Sequence, residues 1–402
     1  MASACEHLEV QGRSTDLKAE IYESICRLSG WLEKNEYRGY DTFDGLNARF
    51  LRPLTFETKI LRMVLQQGVR RFPINMRPLL GIAKSPSTKA MGFFAKGFIR
   101  LHQATGDAAW ADKAEFALQW LIDNQSKGYS GACWGNHFDY QSRNTFAPKD
   151  LPSVVWTAHI GHVFLDAYEH FRKDRYLQIA ASSCEFILRD LDTTAEGDAI
   201  CISYFAGQTH QVHNANTLGA SLLARTYSHT QNETCRALAQ KAMQYTAQHQ
   251  RPDSSWYYCE EPNTRWVDNF HTGYVLDCFK HYAESTGDSQ YNEIMMKGYE
   301  HWKKTFFLAD GTPKYYDYKT LPIDIQCCSQ AIDTLVFFNS LDPDNLPLAL
   351  KVAQWTIEHM QDRTGYFYYR RYSPLWLVNK TATLHWGQAT MLSALSGLYK
   401  LL

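Results

Sequence analysis

In five stretches of this 402-residue sequence an Asp or a His stands close to Tyr or Trp. Residues 131–140 hold Trp134, His137 and Asp139; 203–214 end on His213 and Asn214; 255–274 hold Trp256, Trp266, Asp268 and His271; 315–324 run from Tyr315 and Tyr316 to Asp324; and 365–386 hold Arg370, His385 and Trp386. A carboxyl group among aromatic side chains loses solvation, which raises its pKa toward neutrality and suits it to act as acid, base or nucleophile. Hydrolysis of a glycosidic bond uses two carboxyl groups flanking that bond, and Asp139 with Asp268 is the pair expected, Asp324 standing in reserve. Removal of a carbon-bound proton, as by a uronic acid lyase or C5-epimerase, calls instead on an imidazole or phenol beside a neutralising Arg. His213 and His271 are the candidates for that role.

Trp134, Trp256, Trp266 and Trp386 offer flat faces for sugar rings, while His137, Arg143, Asn214, Tyr316, Arg370 and His385 supply polar contacts to a saccharide. Arg143, Arg265, Arg370 and Arg371 lie near helix starts, a combination that favours an anionic group such as a uronic acid or sugar phosphate. Each feature also has a structural explanation. Asp268 and Asp324 stand where N-caps belong, the polar quartets 213–216 and 268–271 can tie neighbouring loops, and loop arginines are commonly solvated. Caps alone require neither the histidines nor the aromatics. Cys327 and Cys328 near Asp268, His271 or His385 form no spaced ligand pair, so no metal is expected. Glycine-rich nucleotide loops and the Gly-x-Ser-x-Gly elbow are absent, so no cofactor is expected and a serine nucleophile is unsupported.

These loops need elements to hold them, and apolar spacing predicts paired helices over 90–103 and 108–124, 154–171 and 176–190, 215–228 and 233–250, 271–284 and 289–306, and 326–339 and 346–361. Further helices are predicted over 16–34, 56–69 and 387–399. The turns within pairs fall near 106, 173, 230, 287 and 342, a period settling at roughly 55 to 58 residues that marks a repeat architecture. The first and last helices lack partners and can complete each other. The expected fold is therefore all-α, an (α/α)6 toroid over 1–402 closed by its terminal helices, with 1–15 as a flexible lead-in. The first helix of each pair is the less charged and belongs to the inner ring. All five aromatic loops then surround one mouth, as does 37–46 with Asp41 and Asp44.

Composition narrows the function. Lys and Arg total 41 against 42 Asp and Glu, and no basic tract stands out, so nucleic acid is not an expected partner. The first residues lack the pattern of a signal peptide, no apolar run reaches membrane-spanning length, and ten cysteines show no regular framework; a cytoplasmic protein with reduced thiols is expected.

The chain resembles a bacterial family of toroidal proteins linked to exopolysaccharide and capsule biosynthesis, close to the six-hairpin glycosidases and the terpenoid-cyclase toroids. The likeness rests on residues 133–143, 212–220, 266–273, 322–325 and 386–389 and spans about 31–399. It implies the toroid fold and a glycan context, and assigns no catalytic residue. The expectation is a carbohydrate-active enzyme resembling glycoside hydrolases. A lyase or epimerase and a non-catalytic glycan-binding scaffold are the alternatives.

Overall fold

The computed structural model describes residues 2–143, 145–373 and 377–402, with side chains from Asp16 onward. The lead-in expected over 1–15 falls outside the described side chains. Among the described residues thirteen α-helices follow in order: α1 (Ala2–Lys34), α2 (Lys59–Arg71), α3 (Thr88–Thr105), α4 (Ala108–Asp123), α5 (Val154–Phe171), α6 (Asp174–Arg189), α7 (His213–Thr230), α8 (Glu233–Gln248), α9 (Asn269–Thr286), α10 (Asn292–Phe306), α11 (Ile325–Phe337), α12 (Asn345–Met360) and α13 (Thr390–Leu401).

Helices α3, α5, α7, α9, α11 and α13 each pack on the next, and α13 packs back on α3, so they form a closed inner ring. Their sequences explain the placement. In α7 every residue from His213 to Thr226 is buried, and most of them are small or apolar. Close approach is built in where the ring closes: a Cβ on Gly97 of α3 would stand 3.2 Å from the backbone nitrogen of Ser393 in α13. The outer helix of each pair folds back along its inner partner, and α1 supplies the outer partner of α13. The stripe Ile21, Ile25, Leu28 and Leu32 is buried there, Tyr22 stacks on Tyr399 with ring centres 4.9 Å apart, and Ser24 donates to Gln361 at 2.8 Å. The expected (α/α)6 toroid, closed by its terminal helices, is the fold observed.

Four of the six inner helices start at capped residues. Ser87, Ser153, Asp268 and Asp324 each accept a bond from a backbone N–H in the first turn of α3, α5, α9 and α11. Helix α7 starts at Val212 without a side-chain cap, and the last inner helix is preceded by a π-helical turn over Leu384–Ala389 that turns His385 and Trp386 toward the ring mouth. Helix α2 belongs to neither ring. It lies with residues 40–84 against the mouth, where its inward side joins the site. Among the described residues no helix is long and apolar enough to cross a membrane.

Candidate active site at the ring mouth

A cavity of about 380 Å³ opens at the N-terminal ends of the inner helices. Its floor and walls come from Lys89 of α3, Trp156 of α5, Asn214 of α7, His271 and Tyr274 of α9, Gln326 of α11 and the π-turn pair His385 and Trp386. Tyr140, Tyr204, Tyr258, Trp266, Tyr315 and Tyr316 enter from the loops, and α2 contributes Met63, Gln67, Arg70 and Arg71.

Three imidazoles on this wall are each braced by a carboxylate: His210, whose Nδ1 lies 3.1 Å from the partly exposed Glu261, and His271 and His385, which are held by fully buried carboxylates. His271 is the third residue of α9, so its backbone N–H falls naturally within reach of the cap, donating to Asp268 Oδ1 at 2.9 Å. Its ring Nδ1 lies 2.7 Å from Oδ2 of the same Asp268, to which Trp266 Nε1 also donates at 2.8 Å. One fully buried carboxylate thus caps the helix, orients the imidazole and fixes Trp266, which stacks on Tyr258 at 4.6 Å. His385 is held in the same way from a distant part of the chain, its Nδ1 bonded to the buried carboxylate of Asp41. Burial works to raise the Asp41 carboxyl, and the adjoining His385 imidazole outweighs it, holding Asp41 below its ordinary value. A carboxylate only accepts, so Nδ1 carries the proton in both rings and the Nε2 lone pair is left as a base. The His385 Nε2 is buried and has no hydrogen-bond partner among the described residues.

The wall is also cationic. Arg70 donates to the Tyr369 hydroxyl at 3.0 Å and lies 4.4 Å from the Phe43 ring centre. Arg71 and Arg143 line the opening, Arg143 lying 5.7 Å from the centre of Trp266. Lys89 sits at the bottom in an aromatic box, 4.9 Å from Trp156 and 5.8 Å from Tyr274, and burial pushes its ammonium down to about 8. Lys89 and Tyr274 also line a second cavity of about 520 Å³ between later turns of the inner helices, where Asp333 is paired with Lys96 and Arg100. There burial, with Asp333 nearby, pushes Asp277 up to about 8.

Among the described residues that line the mouth cavity there is no Asp or Glu. Asp139 instead pairs with Arg52 at 2.7 Å and accepts from the Lys149 backbone, which ties residues 47–57 to the ring. Asp324 caps α11, accepts from Trp386 Nε1 at 2.8 Å and is ion-paired with buried Arg370, its strand partner. Both of its oxygens are therefore committed to structure. The other site residues named from the sequence divide in the same way. Trp266, Trp386, Tyr316, Arg143, Asn214, His271 and His385 meet at the cavity. Trp134 and Trp256 are core side chains whose indoles donate to Leu121 and Thr246 carbonyls. His213 is buried between Glu260, 2.8 Å away, and Thr246. His137 lies behind the wall, where burial pushes its imidazole down to about 4. Sequence reasoning passed over Arg70, Gln67, Lys89, Trp156 and Tyr274, and placed Asp41 at the mouth as a candidate acid, base or nucleophile and not as the partner of His385. Arg70 sits in an amphipathic helix where a basic side chain reads as solvated; only the fold over the mouth turns it inward. Cys327 packs with Phe270 and Tyr315, and among the described residues no three His, Cys, Asp or Glu side chains gather as metal ligands.

No family model matches this sequence, and no curated protein matches it either. Its fold is similar to several solved structures. A cellobiose 2-epimerase from Bacillus thermoamylovorans B4167 superposes with a TM-score of 0.63 at 12% identity, over 79% of this chain and 88% of that one. An unsaturated glucuronyl hydrolase from Bacillus sp. GL1 gives 0.61 at 14% identity, over 93% and 94%. A GH76 α-mannanase from Bacteroides thetaiotaomicron gives 0.61 at 11% identity, over 80% and 88%. These likenesses show the class of the fold, the (α/α)6 toroid. At such identities they define nothing finer.

Proposed function

We propose that this protein is a carbohydrate-active enzyme that moves a proton on a sugar carbon next to a carbonyl or carboxylate, with His271 and His385 as the acid–base pair. The observation that carries the reading is the composition of the wall: three carboxylate-braced imidazoles, of which His271 and His385 are held by fully buried carboxylates, and no carboxylate of its own. A glycoside hydrolase needs two carboxyl groups at the bond, and Asp139, Asp268 and Asp324 are turned to other work. One imidazole Nε2 removes the proton while the conjugate acid of the other returns it to the same or a neighbouring carbon, which gives epimerisation or isomerisation. If a group on the next carbon departs instead, the outcome is a lyase. Negative charge then grows on the substrate oxygen, and Arg70, Arg143 and Lys89 supply the cations to hold it. The same cations favour an acidic saccharide, for which Trp266 and Trp386 offer stacking faces. The fold is shared with an epimerase, and a role in polysaccharide metabolism is the setting this reading implies.

The test is incubation with uronic acids, acidic oligosaccharides and neutral sugars in heavy water. Deuterium should enter one carbon of a turned-over sugar, and His271→Asn and His385→Asn should each abolish the exchange. Release of reducing ends without deuterium entry would return the protein to the hydrolases. No exchange or turnover, with saccharide binding retained, would make it a binding scaffold.

A further inference from the structure

The segment 47–84, which carries α2 across the mouth, holds eight Lys and Arg and a single Glu, in a chain whose formal net charge is −1. It has a small core of its own: Ala48, Val69 and Ile82 closed over by Leu51, Leu65 and Leu80. That core leaves much apolar surface outside. On the outward face of α2 stand Ile60, 73% exposed, with Leu61 and Val64. Phe50, Leu54 and Phe56 precede them, and Phe72, Ile74 and Leu79 follow. Nine of the fourteen large apolar side chains exposed among the described residues thus fall within residues 50–79. Single exposed apolar residues are ordinary, but a concentration of this kind marks an interaction surface.

Charge selects the occupant. Exposed Arg49, Lys59, Arg71 and Lys84 are interspersed with these apolar side chains. A second copy of the chain would set the same cations against each other, and a nucleic acid would meet the charge and leave Phe56, Ile60 and Val64 in water. An anionic bilayer satisfies both, since its head groups pair with Lys and Arg while the acyl boundary takes up the apolar side chains. We propose that residues 47–84 dock the toroid, mouth first, on an anionic membrane surface. The inward face of the same helix lines the cavity through Met63, Gln67 and Arg70, so docking sets the site at the level of the head groups.

The experiment is co-sedimentation of the full chain with phosphatidylcholine vesicles, with and without phosphatidylglycerol. The parent protein should pellet with the anionic vesicles only, and added salt should release it. Phe56→Ser, Ile60→Ser and Val64→Ser combined should weaken pelleting by about tenfold or more while leaving the circular dichroism unchanged. Arg49→Glu with Lys59→Glu tests the charge alone and should weaken it comparably. Failure of the parent to pellet, or equal pelleting of folded variants and parent, overturns the proposal. So does a parent dimer in sedimentation velocity that the triple Ser variant abolishes, which would give the face to a second copy.

Discussion

At the position of Asp268 two roles converge that a single substitution separates. Asn caps a helix about as well as Asp, so Asp268→Asn should leave the start of α9 intact and shift the melting temperature by no more than a few degrees. With the amide oxygen kept on the His271 backbone N–H, the amide nitrogen would face both Trp266 Nε1 and His271 Nδ1, which donate to the same oxygen of this carboxylate. Loss of the correct imidazole tautomer costs on the order of 10⁴-fold in kcat in the best-studied Asp–His pairing, and a loss of at least about a hundredfold is expected here. Asp139→Asn should behave otherwise. Its partners are Arg52 and a backbone N–H outside the cavity, so turnover within about twofold of the parent is expected, and a large loss with intact folding would restore it to the mechanism. The sequence made Asp268 conspicuous because it follows Trp266 and precedes a helix. It could not show that the carboxylate is spent on its neighbours, since the bonds that occupy it depend on where Trp266 and the His271 ring turn in three dimensions.

Among the elements, the paired helices were legible because each inner helix is a long, nearly uncharged run between turn residues. That pattern depends only on local periodicity. What sits over the mouth was less so. Helix α2 was placed within a few residues, yet nothing in a short amphipathic stretch says which neighbour it faces, and Arg70 was lost with it. The π-turn at Leu384–Ala389 was likewise hidden, because it differs from an α-helical start only in backbone bonding. The seam between α1 and the loop after α12 offers a sharper test. Gly365 has φ +110°, and a Cβ on it would fall on the Arg27 carbonyl oxygen of α1. Gly365→Ala should cost about 2–4 kcal/mol in chemical denaturation, combining backbone strain with a displaced helix. A stability equal to the parent would mean that this seam does not hold the ring.

For the molecule as a whole, the axial cavity sets a pH dependence. Asp277 binds its proton far more tightly in the folded state, where its pKa is about 8 against an ordinary value of 3.8. The contribution to stability is full below about pH 4 and is lost as pH rises through 8, at up to about 1.4 kcal/mol per pH unit. Asp277→Asn keeps the shape and removes the proton, so unfolding free energies measured from pH 5 to 8 should decline less steeply in the variant. Parallel curves would show that Asp277 does not titrate in this window. Removing residues 1–35 should expose the face of α13 that Tyr22, Ile25 and Leu28 cover, giving aggregated protein; a soluble product with unchanged melting temperature would deny closure by the ends.

The two imidazoles braced by buried carboxylates differ in how far along the chain those carboxylates lie. Asp268 is three residues from His271, whereas Asp41 is 344 residues from His385. The first pair can form as soon as one helix start is made. The second exists only after the last inner helix has met the beginning of the chain, the slowest kind of contact for a chain to find. During refolding, helical signal and the fluorescence of Trp266 should therefore recover ahead of turnover. A protein trapped with five hairpins assembled would be a chemically silent ring, complete at one imidazole and waiting for the other.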